Sequence, residues 1–340
     1  MNPDHLVHLV CPSCRGQLDL AAPKTGGDGR VEAGTLRCDK CPGSYPIVGG
    51  IPRFVPLDNY ASGFGLEWTR HARTQYDSHS GIRASEDRFF AQTRWPRTLT
   101  GETILEVGSG SGRFTEQAAN TGAFVVSFDY SHAVEANYGS NGRRPNVLIV
   151  QADVFAMPFR PATFDRLFCF GMLQHTPDPH RAFAGLPAML KPGGHLVADI
   201  YKATLFRAFL HTKYYVRPLT RRIPPERLYR MVRRYVDAMW PVCGVIRRVP
   251  RIGYALNWRL LVADYSFLGL RGDMLKEWAY LDTFDMLAPR YDRPETLERF
   301  RHWFDEARLE NIEVDYTPHG IVGRSNRAEL RGPNPGSSGQ

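Results

Sequence analysis

Two sets of residues in this 340-residue sequence have the types and spacing to do chemistry. The first is four cysteines, Cys11, Cys14, Cys38 and Cys41, arranged as two Cys-x-x-Cys pairs. Each pair can form a tight knuckle that turns two thiolates toward one cation, and two knuckles give the tetrahedral sulfur ligation that zinc takes. Four thiolates leave no open position, so such a zinc is structural. Two disulfides are the alternative, disfavoured where a reducing thiol pool is present. The stretch between the pairs is longer than usual for such sites, and the Gly- and Pro-containing piece 22–34 is expected to absorb the excess as a flexible loop.

The second set surrounds a glycine turn. An apolar run, Ile104, Leu105 and Val107, breaks into Gly108-Ser109-Gly110-Ser111-Gly112 and then into helical sequence from Arg113 to Ala119. Alternate glycines permit backbone conformations and close approaches that a Cβ forbids. A strand–glycine turn–helix unit therefore lets a ligand lie over the backbone at a helix N-terminus. Glu106 stands two residues before the first glycine, where an acid can meet a cationic ligand. The spacing is G-x-G-x-G, distinct from the dinucleotide-binding G-x-G-x-x-G.

Positioning these groups requires an alternation of short strands and helices, which argues for an α/β fold with a parallel sheet. The apolar run 124–128 ends in Asp129, and a carboxylate at that strand end can accept both hydrogen bonds of a ribose diol. The run 147–150 leads to Asp153 and Val154. A further strand at 164–170, a loop carrying His175, and a strand after Lys191-Pro192-Gly193-Gly194 complete the alternation. One acid at a strand end is readily a helix cap. Acids at three successive strand ends indicate a ligand.

Over residues 102–200 these markers resemble the class I S-adenosylmethionine (SAM) methyltransferases, in particular the ubiquinone/menaquinone type, on motif I (104–114), the stretch Gly171-Met172-Leu173-Gln174-His175-Thr176-Pro177-Asp178-Pro179, and the Lys-Pro-Gly-Gly loop. The resemblance implies a seven-stranded Rossmann-like sheet and SAM as cofactor. Glu106, Gly108, Ser109, Gly110 and Gly112 would hold its amino-acid end. Asp129 would meet the ribose, Asp153 and Val154 the adenine, and Tyr130 and Phe170 are further cofactor-side candidates. His175 is the candidate general base, since histidine titrates near neutrality. The segment before motif I folds over the cofactor in that family, which makes Gln75, Tyr76 and His79 candidates for contact. The dense aromatic and acidic stretch 278–292 is expected to line the pocket, and Tyr201, Asp282 and Tyr291 are further substrate-side candidates.

The cysteines with Ser44-Tyr45-Pro46-Ile47-Val48-Gly49-Gly50-Ile51-Pro52 resemble the small zinc-ribbon proteins that activate methyltransferases. The expected organisation is thus a zinc ribbon at 1–57, linker and lid helices at 58–98, a SAM-binding core at 99–200, and a basic helical lid at 201–273. The rest of the core follows at 274–325, with a disordered tail at 326–340.

The formal charge of +8 is unevenly placed. The stretch 202–259 alone carries +12, from 14 Lys or Arg against Glu226 and Asp237, so the remainder sums to −4. With no membrane-spanning run and no signal-peptide pattern, a cytoplasmic enzyme is expected. Its substrate would be a small molecule or glycan intermediate, phosphate- or lipid-linked ones included, bound under the basic lid. The alternative substrate is ribosomal RNA, because some rRNA guanine methyltransferases also join a zinc ribbon to this core.

Overall fold

The structure, a computed structural model, describes residues 1–56, 62–203 and 212–329. Its centre is a seven-stranded sheet built from β5 (Thr103–Val107), β6 (Phe124–Asp129), β7 (Val147–Gln151), β8 (Phe164–Cys169), β9 (Leu190–Ile200), β10 (Leu309–Thr317) and β11 (Gly320–Arg327). The strand order is β10-β11-β9-β8-β5-β6-β7. Strands β5 to β9 pair in parallel, while β11 runs antiparallel to both β9 and β10. This is the mixed α/β sheet that the resemblance implies. Both faces of the parallel strands are apolar because both are covered. Leu105, Val126, Leu148 and Leu167 point into one core, and Ile104, Val125, Ile149 and Phe168 into the other.

Helices α3 (Ala84–Thr93), α4 (Arg113–Asn120) and α5 (Ala133–Asn141) contribute to the second core. Helix α3 has no cap of its own side chains. The Asp77 carboxylate accepts the Ser85 and Glu86 amides at 2.8 Å each, satisfying two of the unpaired N–H groups at that end. Asp77 itself opens α2 (Asp77–Ser80), which follows α1 (Ser62–Arg70).

The N-terminal module is a four-stranded antiparallel sheet, β1 (Leu18–Thr25), β2 (Val31–Cys38), β3 (Ser44–Val48) and β4 (Ile51–Pro52). The stretch 22–34, expected as a flexible loop, is mostly the paired arms of the β1–β2 hairpin. Its tip is anchored: Arg30 donates to the Gly142 carbonyl at 2.6 Å and the Arg143 carbonyl at 2.7 Å, placing a cation at the C-terminal end of α5. Leu9, Leu18, Val31, Leu36 and Ile47 of the module share one hydrophobic cluster with Val126, Phe128, Leu148 and Phe159. Arg53 bridges in parallel to Gln151, so the module covers the otherwise open β7 edge of the large sheet.

After β9 comes the helical insertion. It contains α7 (Lys213–Thr220), α8 (Pro225–Ile246), α9 (Gly253–Arg259) and α10 (Gly272–Leu287). The expected boundary at 273 falls inside α10. Ala279, Phe284 and Leu287 of that helix pack with Leu228, Val232 and Val236 of α8, so the cap continues to Leu287. The chain returns to the sheet only with α11 (Leu297–Glu306), whose Phe300, Trp303 and Phe304 pack on Phe183 of α6 (Pro179–Ala184). Asn326 and Arg327, expected in the tail, belong to β11, where Asn326 pairs with His195, and residues 330–340 lie outside the described residues.

Candidate functional site

The strand order reverses between β5, which continues to β6, and β8, which lies on its other side. Ligand crevices of open α/β sheets lie at the carboxyl ends of strands at such a switch point. A cavity of about 290 Å³ occupies that place.

Its sheet-side wall follows from backbone constraints. The Gly108 and Ser109 amides both donate to the Phe128 carbonyl, at 2.9 and 3.0 Å, which folds the turn down onto β6. Gly108 has φ +79°, and a Cβ there would stand 2.4 Å from Met172 Cγ. Gly112 has φ +92° and its Cβ would meet Asn137 Oδ1 at 2.1 Å. Gly112 therefore serves the packing of α4 against α5 and does not line the cavity.

Of the residues expected on the cofactor side, Gly108, Ser109, Gly110, Asp129, Tyr130, Asp153, Val154 and Phe170 line it. Asp129 Oδ2 accepts the Gly110 amide at 3.0 Å, while Oδ1 accepts from the Ser131 amide and hydroxyl at 2.8 and 2.7 Å. Burial raises its pKa, opposed by these hydrogen bonds. Asp153 caps a short turn by accepting the Phe155 amide at 2.9 Å through Oδ1.

Glu106 is placed differently from the sequence expectation. It is 1 % exposed, lies behind the turn, and accepts a hydrogen bond from Thr115 Oγ1. Burial pushes its pKa up to about 8, opposed by hydrogen bonds from Thr115 and Ser127. It thus joins β5 to α4 and is not a wall residue. The position before the glycines was legible, but not the side of the turn to which the carboxylate points.

His175 lines the cavity beside Tyr201, with ring centroids 5.5 Å apart and nearly perpendicular. Its Nδ1 lies 3.0 Å from the Tyr291 carbonyl oxygen, an acceptor, so Nδ1 carries the proton and Nε2 is the basic nitrogen. Burial lowers its pKa, against the pull of Asp285 and Asp292.

The opposite wall comes from the cap and the segment before β5: Trp68, Gln75, Arg88, Tyr201, Tyr265, Trp278, Asp282 and Asp285. Tyr201 and Asp282 were expected there; Gln75 approaches both Asp282 oxygens at 3.5 Å. Burial, with Asp285 close by, pushes the Asp282 carboxyl up to about 7. Glu67 lies behind them, buried, with both carboxylate oxygens lacking a hydrogen-bond partner among the described residues. Its pKa is raised well above the ordinary carboxylate value by burial, reinforced by Asp285 and Asp282.

Three expected contacts lie elsewhere. Tyr76 is buried behind the glycine turn and donates to the Ser111 carbonyl at 2.7 Å. His79 is exposed and 3.4 Å from Glu277. Tyr291 takes part through its backbone carbonyl, its ring lying off the cavity.

Trp278 and Asp285 lie in the stretch 278–292 expected to line the pocket, Asp285 three residues after Asp282 on one helix face. Arg113 and Tyr265 are not among the expected site residues, although Arg113 opens the helix after the third glycine. The basic character of the lid is partly internal. Lys213 and Arg217 both pair with the buried Asp292, and Arg247 pairs with Asp264. Arg207 lies outside the described residues.

In the N-terminal module the four cysteines gather, with every Sγ within 4.8 Å of the others. Cys11–Cys41 and Cys14–Cys38 stand 3.6 and 3.4 Å apart, far beyond disulfide length, and all are free thiols. A zinc tetrahedron with ~2.3 Å bonds has sulfur edges of about 3.8 Å, so the cluster fits such an ion.

The family described as "Methyltransferase domain" matches residues 105–198. A ubiquinone biosynthesis O-methyltransferase of Coxiella burnetii is 32% identical over 117 residues, covering 34% of this chain and 50% of that protein. One from Xylella fastidiosa is 29% identical over 184 residues, covering 52% and 73% respectively. Among solved structures, an O-methyltransferase family 2 protein from Planctomyces limnophilus, in complex with apigenin, is 16% identical. It covers 78% of this chain and 62% of its own, with a TM-score of 0.41. The chain spans about half the length of the first of these curated relatives. Residues 105–198 form a methyltransferase domain.

Proposed function

We propose that this chain, whose residues 105–198 belong to the methyltransferase-domain family, transfers a methyl group from SAM to a small-molecule acceptor held between the sheet and the helical cap. The observation that carries the reading is convergence: Gly108–Gly110, Asp129 and Asp153, from three successive strand ends, face one cavity whose other wall is the cap. The donor set fits the cofactor. The glycine turn has room for a ligand over its backbone, Asp129 offers carboxylate oxygens to a diol, and Asp153 and Val154 stand where an adenine edge would lie.

Bound SAM supplies a sulfonium-activated methyl group. The protein's share is alignment and exclusion of water, which can lower a barrier by several kcal/mol, ~7–11 in well-oriented cases. His175 is set to accept a proton from an acceptor hydroxyl or amine at Nε2, because the Tyr291 carbonyl holds the proton on Nδ1. Asp282 and Asp285 can orient the acceptor by hydrogen bonding.

A cavity of about 290 Å³ roofed by Tyr265 and Trp278 favours a small acceptor, such as a quinone- or glycan-type intermediate, over a base within folded RNA. Methyl-labelled SAM incubated with the protein and fractionated lysate tests this. Label in the lipid or small-molecule fraction supports it, and label in RNA contradicts it. In the N-terminal module the four thiolates would hold one structural zinc. Cys38→Ser is expected to lower bound zinc from one equivalent and to destabilise the module, as read by elemental analysis and thermal melting; unchanged zinc content contradicts the assignment.

A further inference from the structure

Helix α8 has two apolar faces. One, with Leu228, Val232 and Val236, is buried against α10. The other, Met231, Tyr235, Ala238, Val242, Val245 and Val249 at the helix's end, repeats at four- and three-residue intervals and is exposed, Val245 at 63 %. A helix needs only one apolar face to pack in its own domain, so the second is unused by the fold.

The stripe continues on the neighbouring helix. Tyr235 donates its hydroxyl to the Leu260 carbonyl, which brings α9 alongside α8 with Ile252, Leu256 and Leu260 exposed. Beyond them Tyr254 packs on Phe267, centroids 5.0 Å apart, and the next residue, Leu268, is both exposed and a wall of the cavity. Of the sixteen large apolar side chains exposed among the described residues, thirteen lie between 215 and 268. They therefore form a feature of the cap, in contrast to the isolated exposed apolar residues of an ordinary surface.

Charge selects the occupant. Arg227, Arg230, Arg234, Arg248, Arg251 and Arg259 are exposed beside the stripe. The acids of the same segment are neutralised: Glu226 pairs with Arg70 at 2.8 Å, Asp237 with Lys276 at 2.6 Å and Asp264 with Arg247 at 2.7 Å. A second copy would set arginines against arginines. Aliphatic residues such as Val242 and Val245 give nucleobases no stacking platform. An apolar stripe rimmed by arginine suits the headgroup–acyl boundary of an anionic bilayer, and no helix of the described residues is long and apolar enough to span one.

We propose that the outer face of the cap, centred on the exposed stripe of α8 and α9, docks in the plane of an anionic lipid bilayer, with the Leu268 rim of the cavity turned toward the lipid. The proposal stands on this surface alone and is independent of methyl transfer.

The test is sedimentation of the full-length protein with vesicles of phosphatidylcholine alone, or of equal parts phosphatidylcholine and phosphatidylglycerol. The protein is expected to pellet with the anionic vesicles and to be released by raised salt. Val242→Glu with Val245→Glu should abolish pelleting. Arg230→Gln with Arg234→Gln should reduce partitioning roughly 30-fold, at ~1 kcal/mol per arginine near the surface. All four side chains are exposed, so melting temperatures should match wild type. The proposal is overturned if wild type stays in the supernatant with anionic vesicles, or if the variants pellet like wild type. It is also overturned if the protein is a dimer in solution that the valine variants dissociate while wild type binds no vesicles, or if it binds RNA that vesicles fail to displace.

Discussion

The two walls of the cavity are built in opposite ways. The sheet-side wall is a set of strand ends: Gly108–Gly110 after β5, Asp129 at the end of β6, Asp153 after β7, and Phe170 and His175 after β8. Each is fixed by a local requirement, a positive φ or a strand terminus beside its neighbour. The cap-side wall has no such local rule. Trp68, Gln75, Tyr265, Trp278 and Asp282 come from segments more than two hundred residues apart at their extremes, brought together by helix packing. The first wall suits a cofactor whose shape is constant, the second an acceptor that differs from enzyme to enzyme.

If that division is right, substitutions on the two walls separate in what they disturb. The largest effect is expected at His175, where the chemistry would meet both walls. His175→Ala should slow turnover roughly 100- to 10,000-fold, the range for loss of a general base, with SAM affinity by calorimetry nearly unchanged. Because burial lowers the pKa of His175, the base is already unprotonated at neutral pH. Wild-type activity should therefore be lost only as pH falls below the ordinary histidine range, and a rate that rises on acidification would remove His175 from the reaction.

Next, Asp129→Ala should weaken SAM binding by about 100-fold or more, the loss of two charge-assisted hydrogen bonds. Asp282→Asn, on the other wall, should raise the acceptor's KM about tenfold, one hydrogen bond to a charged group, and leave SAM affinity alone. Equal loss of SAM binding in both variants would erase the distinction between the walls.

The smallest effect concerns stability. Glu67 has a raised pKa in the fold, owing first to burial and then to Asp285 and Asp282. The folded state retains its proton above the pH where the unfolded chain loses it, so this contribution is full in acid and declines as pH rises. The melting temperature should fall as pH rises above the ordinary carboxylate range, and Glu67→Gln should flatten that slope by a few degrees for ~1 kcal/mol.

The same contrast explains what was legible in the sequence. The glycine turn, Asp129, Asp153 and the strand alternation could be read because residue type there follows from backbone geometry. Glu106 was placed on the correct strand but not behind the turn, since a strand's period does not say where a carboxylate at its end will bend. The hairpin arms at 22–34 read as a loop because their glycines and proline masked the strand pattern, and the anchoring partner of Arg30 lies over a hundred residues away. Helix α10 read as part of the core because its apolar residues do not reveal which neighbour they pack against. Tyr265 became a cavity residue only through tertiary contacts, its ring 4.9 Å from that of Trp278.

The most direct test of the central claim, that the sheet-side wall holds the cofactor and the cap the acceptor, is calorimetric titration of SAM into wild type, Asp129→Ala and Asp282→Asn under one set of conditions. The account predicts binding to wild type, the same affinity within about twofold for Asp282→Asn, and on the order of a 100-fold loss for Asp129→Ala. No SAM binding by the wild-type protein, or undiminished binding by Asp129→Ala, would contradict it.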